Sequence, residues 1–269
     1  MNDIFIFLSA PFFMCLILVG MHCYLGIHVL ARGIVFIDLA LAQVAALGSI
    51  LAYANGFEHN TLEDYLISLG CTFVAAAFLT LANQYKNKIS QEALIGLVYA
   101  MTSAATILLL DQMSHGSEHL KYSLVGQLLW VDWNQVYKVI GIYTLVASMH
   151  YYWRGPLLQN SYGKNEKWQW DFIFYFLFGI VITSSVHIAG ILLVFAFLIV
   201  PAVVSAFFFQ RIYQKLLFGW ALGFFLCTIG MLLSYFLDKP AGAVIVITFT
   251  IVPILLILGL AVKRRIRPT

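Results

Sequence analysis

Residues 33–48 read GIVFIDLALAQVAALG, an apolar run that carries a single carboxylate, Asp38, well inside it. A charged side chain at membrane depth costs several kcal/mol, so it normally faces the interior of a helix bundle or a polar path. The run therefore predicts a helix of a membrane protein. It also makes Asp38 the first candidate for a functional residue.

The rest of the chain has the same apolar character. Of its 269 residues, 62% are hydrophobic and 10% are charged, whereas a soluble domain is about 25% charged. A membrane-crossing helix needs about 20 mainly apolar residues. The apolar runs are continuous rather than alternating, which favours helices over a β-barrel. We predict an all-α, polytopic membrane helix bundle in which residues 1–269 form a single transmembrane domain.

Hydropathy predicts eight or nine transmembrane helices. The break at 183–190 (TSSVHIAG) leaves the number open. The segment 122–131 (YSLVGQLLWV) is too short to cross, and we interpret it as a re-entrant or interfacial segment. The predicted spans lie near 4–31, 33–54, 64–85, 92–111, 134–153, 171–187, 190–209, 217–237 and 241–262.

The basic residues fall in alternate connections between these spans. Cytosolic loops of membrane proteins are enriched in Lys and Arg, so we predict that the N-terminus lies outside and the C-terminus in the cytosol. That orientation requires an odd number of spans, and nine fits. The opposite connections hold only Lys121, Lys138 and Lys239, beside acidic residues such as Asp64. The cytosolic set is Arg32, Lys86, Lys88, Arg154, Lys164, Lys167, Arg211, Lys215, Lys263, Arg264, Arg265 and Arg267.

Several function classes lack their motifs in this chain. It contains no phosphate-binding Gly-x-x-x-x-Gly-Lys-Ser/Thr loop, no Gly-x-Ser-x-Gly and no His-Glu-x-x-His. We therefore predict that the protein is not an enzyme and holds no cofactor. The net charge of +3 is too small to indicate nucleic-acid binding. The four cysteines lie in apolar segments without a Cys-x-x-Cys pair, so we expect buried thiols.

Five polar residues within or beside the apolar runs are the candidate metal ligands: Asp38, Asp238, His187, Gln43 and His28. Carboxylate oxygens and imidazole nitrogens suit divalent zinc, manganese or iron. Three of these residues also have a structural alternative. Asp38 can fix packing by pairing with a helix terminus, His187 can cap a helix end, and Asp238 can be an N-cap.

The remaining histidines are weaker candidates. We interpret His22 and His28 as hydrogen-bonded interior histidines. The connections on the outer side carry His59, His115 and His119. Ordinary solvated loop residues are the favoured interpretation for these three, with a weak metal-collecting role as the alternative.

Four blocks of sequence resemble one family. They are LARGIVFIDLALAQVAALG (30–48), GILLVFAFLIVPAVVSAFFFQR (190–211), SYFLDKPAGAVIVI (234–247) and, more weakly, QEALIGLVYA (91–100). In order and spacing they resemble the permease subunits of bacterial ABC importers for zinc, manganese and iron. With the order of the spans, the resemblance covers nearly the whole chain.

The resemblance implies a multi-pass protein of the bacterial inner membrane that works as a homodimer. A separate cytosolic ABC ATPase would power it, and an extracytoplasmic metal-binding protein would deliver the metal, which is the substrate. The segment after the family's Pro-Ala pair is implied to dock on the ATPase. In this chain the implied docking residues are Pro201, Ala202, Ser205, Gln210, Arg211 and Lys215.

The chain departs from the family's metal-binding pattern. The family usually has a Gly-Asp-Ala-Leu-small-His run in the second span. Here Asp38 occupies the Gly position, Leu39 the Asp position and Gln43 the His position. In the third block Ser234 stands where the family often has His, whereas Asp238 matches.

These departures leave three interpretations open. Metal coordination is rearranged, with Asp38 and Asp238 assisted by His187 or His28. Alternatively, the cargo is a chelate or another species that needs no direct ligands. The least favoured interpretation is an ion-driven secondary transporter in which Asp38 carries protons, although no inverted repeat is visible.

Overall fold

Helices make up nearly all of the described chain. The computed structural model describes residues 2–59, 61–85, 88–113, 116–163 and 167–266, and no β-strand occurs in these ranges. The predicted all-α class is therefore confirmed. The helices are α1 (Asn2–Arg32), α2 (Ile37–Ala54), α3 (Leu62–Ala82), α4 (Gln91–Asp111), α5 (Gly116–Val125), α6 (Trp133–Tyr152), α7 (Arg154–Ser161), α8 (Trp168–Phe208), α9 (Ile212–Leu237) and α10 (Ala241–Ile266), with short 3-10 turns at Asn83–Tyr85 and Leu128–Trp130.

In the described part of the chain, seven helices are long and apolar enough to cross a membrane: α1 to α4 and α8 to α10. The predicted number of eight or nine is not confirmed by this criterion, since α6 is not among them and α8 counts once. The short segment predicted at 122–131 forms the end of α5 and the turn Leu128–Trp130. The connection between the predicted spans 134–153 and 171–187 contains the short helix α7.

Helix α8 is too long for a single straight crossing, and it folds back on itself. A straight helix from Phe174 to Ala202 would be about 42 Å long. Yet both residues approach the same part of α1. The Phe174 ring lies 5.8 Å from that of His28, and Ala202 packs against Gly26. The reversal occurs at Gly190, the only residue of α8 with non-helical dihedral angles (φ 77°, ψ 164°).

The reversal at Gly190 holds the segment after α5 in place. Gly126, which also has a positive φ, packs directly against Gly190. The backbone of residues 124–126 is so close that a Cβ on Gly190 would lie 2.7 Å from the carbonyl oxygen of Leu124. The Gln127 N–H donates to the carbonyl oxygen of Ile188 at 3.0 Å. The predicted break at 183–190 is therefore a sharp turn at one glycine, and the re-entrant segment docks on it.

The bundle has two ends, which we name after one residue each. The Arg32 end contains the α1–α2 turn, the start of α4, helix α7 and the α8–α9 connection. The Asp64 end contains the start of α3, the Gly190 turn and the α9–α10 connection. Thr61 caps the N-terminus of α3 by accepting a hydrogen bond from the Asp64 N–H.

Helices α1 and α8 form the centre of the bundle. Met14 and Leu18 of α1 and Phe178 and Phe197 of α8 are fully buried. The outer faces of the other helices expose large apolar side chains. Such a surface is unfavourable in water but favourable against lipid. All four cysteines are free thiols, and Cys15, Cys23 and Cys227 are buried as expected, whereas Cys71 is half-buried. Examples of the exposed apolar residues are Val74, Leu97, Leu145, Phe236 and Leu255.

Candidate functional site

Asp38 is fully buried, in the first turn of α2. The sequence predicted a position well inside the span. The helix begins only at Ile37, because Gly33 has a φ of 70° and residues 34–36 form a turn. Neither carboxylate oxygen of Asp38 has a hydrogen-bond partner among the described residues. The N-terminus of α2 stabilises a negative charge on Asp38, but the carboxylate is buried without a direct hydrogen-bond partner, which is energetically costly.

Gln43 and His28 each make a hydrogen bond inside the bundle. Gln43 donates from Nε2 to Thr106 Oγ1 at 3.2 Å. The His28 Nδ1 lies 2.8 Å from Ser161 Oγ, and its ring packs against that of Tyr24. These contacts match the interpretation of His28 as an interior histidine.

His22 fits the same interpretation. Its Nδ1 lies 2.7 Å from the carbonyl oxygen of Leu18, and its Nε2 lies 3.2 Å from Ser185 Oγ. The ring is fully buried.

Asp238 lies at the Asp64 end and is exposed. It caps the C-terminus of α9 in the left-handed conformation, with φ 52° and ψ 51°. The suggested N-cap role is therefore replaced by a C-cap role. Ser234, in the family's His position, donates from Oγ to the carbonyl oxygen of Lys239 at 2.7 Å.

The residues implied to dock on an ATPase differ in their exposure. Pro201, Ala202 and Ser205 are buried in the last turns of α8. Gln210 and Arg211 are exposed in the α8–α9 connection, near the exposed aromatic residues Phe207, Phe208 and Tyr213. Lys215 is half-buried in the first turn of α9.

A pocket of about 90 Å³, lined by apolar and ionisable side chains together, lies at the Asp64 end. Its walls come from the end of α2, the start of α3, α5 and the stretch of α8 before Gly190. The lining residues are Ala46, Ser49, Ile50, His59, Asp64, His119, Tyr122, Ser123, Gln127, Val186 and His187. Of the five candidate ligands, only His187 reaches this pocket. Asp38 and His28 lie toward the Arg32 end.

Asp64 forms the floor of the pocket. Its side chain is fully buried, and an imidazole stands near each carboxylate oxygen. The Nε2 of His187 lies 3.6 Å from Oδ1, and the Nδ1 of His59 lies 3.9 Å from Oδ2. A buried carboxylate beside two imidazoles is a donor set that suits borderline divalent cations.

The two imidazoles are held by further contacts. His187 Nδ1 lies 2.7 Å from the carbonyl oxygen of Thr183. His59 stacks on Tyr53 with ring centroids 4.8 Å apart, and its Nε2 lies 3.1 Å from Nδ1 of His119. His59 and His119 therefore form part of an organised pocket, which differs from the favoured interpretation as ordinary solvated residues. His115 lies outside the described residues.

Sequence reasoning missed Asp64, which it counted only as an acidic loop residue. A signal was present in α3. Asp64, Ser68, Thr72, Ala76 and Thr80 recur every fourth residue, and all five are buried in the structure. Small and polar residues at this spacing in an apolar helix mark the face that contacts other helices.

A second polar cluster, at the Arg32 end, was also missed. Arg32 forms a buried ion pair with Asp171. Asn83 donates to Oδ2 of Asp171 at 2.7 Å and Asn160 to Oδ1 at 2.6 Å, while the Arg32 Nε donates to Ser161 Oγ at 3.0 Å. The cluster joins α1, α7 and α8 and borders a cavity of about 250 Å³. We interpret it as a structural clamp, since each strong acceptor there has a partner.

Long apolar helices that surround buried polar groups define a polytopic membrane protein, and ionisable residues inside such a bundle are typical of proteins that move ions or small solutes. The chain belongs to the ABC 3 transport family, whose model matches residues 6–260. This match confirms the resemblance seen in the sequence blocks.

Individual relatives agree with this assignment. A manganese transport system membrane protein from Listeria monocytogenes is 26% identical over 240 residues, which cover 85% of this chain and 81% of the relative. A high-affinity zinc uptake system membrane protein from Haemophilus influenzae is 24% identical over 233 residues, which cover 83% of this chain and 86% of the relative. The fold is similar to that of PsaBC from Streptococcus pneumoniae, solved with a Fab, with a TM-score of 0.75, 18% identity and 93% of each chain covered.

Proposed function

We propose that this chain is the membrane-spanning permease subunit of an ABC importer for divalent transition-metal ions such as zinc, manganese or iron. The observation that carries the proposal is the match of residues 6–260 to the ABC 3 transport family. Relatives named for manganese and zinc transport support the choice of cargo. The chain does no chemistry on the metal, which is substrate rather than cofactor.

We further propose nine crossings of a bacterial inner membrane, with the N-terminus outside. Helix α6 has 20 residues, enough to cross, and α8 contributes two crossings because it reverses at Gly190. Arg32, Arg154 and Arg211 all lie at the Arg32 end, so the positive-inside rule places that end in the cytosol. The Asp64 end then faces outward.

The proposed partners follow from this orientation. A separate cytosolic ATPase docks at the α8–α9 connection, where Phe207, Phe208, Gln210 and Arg211 are exposed. Pro201, Ala202 and Ser205 support this surface from inside the bundle. A second copy of the chain completes the pathway, and an extracytoplasmic metal-binding protein delivers the ion to the outward end.

Within the pathway we propose Asp38 as the main acidic residue, with Asp238, His187, Gln43 and His28 as further candidates. The support for Asp38 is its full burial together with the lack of a described hydrogen-bond partner for either oxygen. A cation that passes nearby recovers part of the free energy that burial of this carboxylate costs.

An uptake assay tests this proposal. The permease, its ATPase and its binding protein are reconstituted in proteoliposomes, and uptake of radioactive manganese and zinc is measured. We expect Asp38→Asn to lower the rate at least tenfold, whereas the exposed acid variant Asp111→Asn retains the wild-type rate. A wild-type rate in Asp38→Asn removes Asp38 from the mechanism.

A chelated metal is the second candidate cargo. Gln43 and Ser234 replace two histidines of the family's pattern, and both side chains donate hydrogen bonds within the protein. Uptake that requires a chelator, with free metal ions not transported, would favour this alternative.

A further inference from the structure

We propose that the pocket at the Asp64 end is a binding site for a divalent first-row transition-metal ion, with Asp64, His187 and His59 as ligands. The inference deepens the proposed function, since it rests on that function for the role of an outward loading site. The binding itself stands on the geometry of the pocket.

The orientation of His187 is the first argument. Its Nδ1 faces the carbonyl oxygen of Thr183 at 2.7 Å, and a carbonyl only accepts, so Nδ1 carries the proton. In the neutral form of this ring, the Nε2 lone pair points toward Oδ1 of Asp64, 3.6 Å away. Two electron-rich atoms that face each other are stabilised by a cation between them. Metal-binding histidines commonly donate their other N–H to a backbone carbonyl in this way.

The distances are close to those of a metal site. Two ligands at 2.0–2.2 Å from one tetrahedral ion lie roughly 3.4 Å apart. The observed separations are 3.6 Å for His187 and Asp64 and 3.9 Å for His59 and Asp64. Among the described residues, no three His, Cys, Asp or Glu side chains are already close enough to hold an ion. Binding therefore draws His59 inward, and its side chain, 38% exposed, has room to move.

Contacts on the nitrogens that face away from Asp64 hold the two imidazoles in position. The Nδ1 of His187 faces the carbonyl oxygen of Thr183, and the Nε2 of His59 lies 3.1 Å from Nδ1 of His119. Such outer contacts fix the direction of a ligand and thereby raise metal affinity. The hydroxyls of Ser68 and Ser49 lie 3.4 Å from the two nitrogens that face Asp64, so an ion that binds there displaces these two contacts.

The burial of the three ligands sets the order in which an entering ion meets them. The exposed fraction of the side chain falls from 38% for His59 to 13% for His187 and to 0% for Asp64. A hydrated ion that enters the pocket exchanges water for protein ligands in that order. The fully buried carboxylate at the floor supplies negative charge where water is excluded, which strengthens its attraction for a cation.

The ligand chemistry selects the kind of ion. Imidazole nitrogen with one carboxylate favours zinc, cobalt, iron and manganese over calcium and magnesium, which prefer sites made of oxygen. In the order of intrinsic affinities, zinc and cobalt bind more tightly than manganese.

The test is a titration of the purified full-length chain with Co²⁺, followed by visible absorption, and then displacement by Zn²⁺. We expect one ion per chain in the wild type. Asp64→Asn and His187→Gln should weaken binding at least tenfold. Glu63→Gln is the matched control, since this exposed neighbour in α3 undergoes the same loss of charge outside the pocket.

His59→Gln is a second ligand variant that should fold normally, since this exposed side chain is not needed to form the bundle. It too should weaken binding. Wild-type affinity in both Asp64→Asn and His59→Gln, or no binding to the wild type, overturns the proposal. ATP-dependent uptake without Co²⁺ binding would refute the site but leave the proposed function. Binding at the site without any metal uptake by the complex would refute the proposed function but leave the site.

Discussion

At the scale of single residues, the described part of the chain holds three buried aspartates that differ in their surroundings. Asp171 is paired with Arg32 and accepts from two amides. Asp64 stands beside two imidazoles at a pocket. Asp38 has no described hydrogen-bond partner. A fully partnered carboxylate serves the fold, whereas one placed beside a pocket or left without a partner is available for a mobile cation.

The clamp gives a prediction at this scale. Asp171→Ala leaves Arg32 buried without its anion, which typically costs about 3–5 kcal/mol. We expect a clearly lower temperature of thermal unfolding for the purified protein in detergent. Asp111→Ala, which removes an exposed acid at the other end of the bundle, is the control and should unfold like the wild type. An unchanged midpoint in Asp171→Ala would show that the ion pair is not a clamp.

At the scale of elements, Gly190 links three features. It reverses α8, it leaves room for Gly126, and it exposes the carbonyl of Ile188 to the N–H of Gln127. Both His187 and Gln127, which line the pocket, lie within three residues of this contact. The shape of the pocket therefore depends on one backbone turn.

Gly190→Ala tests that dependence. Alanine at φ 77° and ψ 164° is strained by about 1–3 kcal/mol, and its Cβ would meet the backbone of the α5 segment. We expect a lower unfolding temperature and faster proteolysis near α5. Gly96→Ala, in an open part of α4, should be neutral or slightly stabilising, since helical alanine is favoured over glycine by about 1 kcal/mol. Equal stability of both variants would contradict the role given to Gly190.

Most helices were predictable from the sequence, because long apolar runs have few alternatives in a membrane. The predicted spans at 171–187 and 190–209 match the two arms of α8, although the structure joins them at a single glycine. The positions of helix ends were less predictable. The start of α2 depends on the turn at Gly33, and this moved Asp38 from mid-span to a first turn.

The site was less predictable than the fold. Asp64 and His187 are far apart in sequence, and only tertiary packing brings them together. Hydropathy placed Asp64 and His59 in a connection, where solvation is the usual expectation. The recurrence of small and polar residues at every fourth position of α3 indicates a buried face, but it does not show which histidine contacts that face.

At the scale of the whole molecule, the two ends of the bundle have different parts in the proposed transport. The Arg32 end carries the basic residues, the clamp and the exposed α8–α9 connection, as expected for the side that meets an ATPase. The Asp64 end carries the pocket and Asp238. Buried Asp38 lies between them, toward the Arg32 end.

The most direct test of the permease assignment is the nucleotide dependence of metal uptake in proteoliposomes. The account predicts uptake of zinc or manganese only when the chain is assembled with its ATPase and binding protein and supplied with hydrolysable ATP. Uptake by the chain alone, driven by a proton gradient and indifferent to ATP, would contradict it.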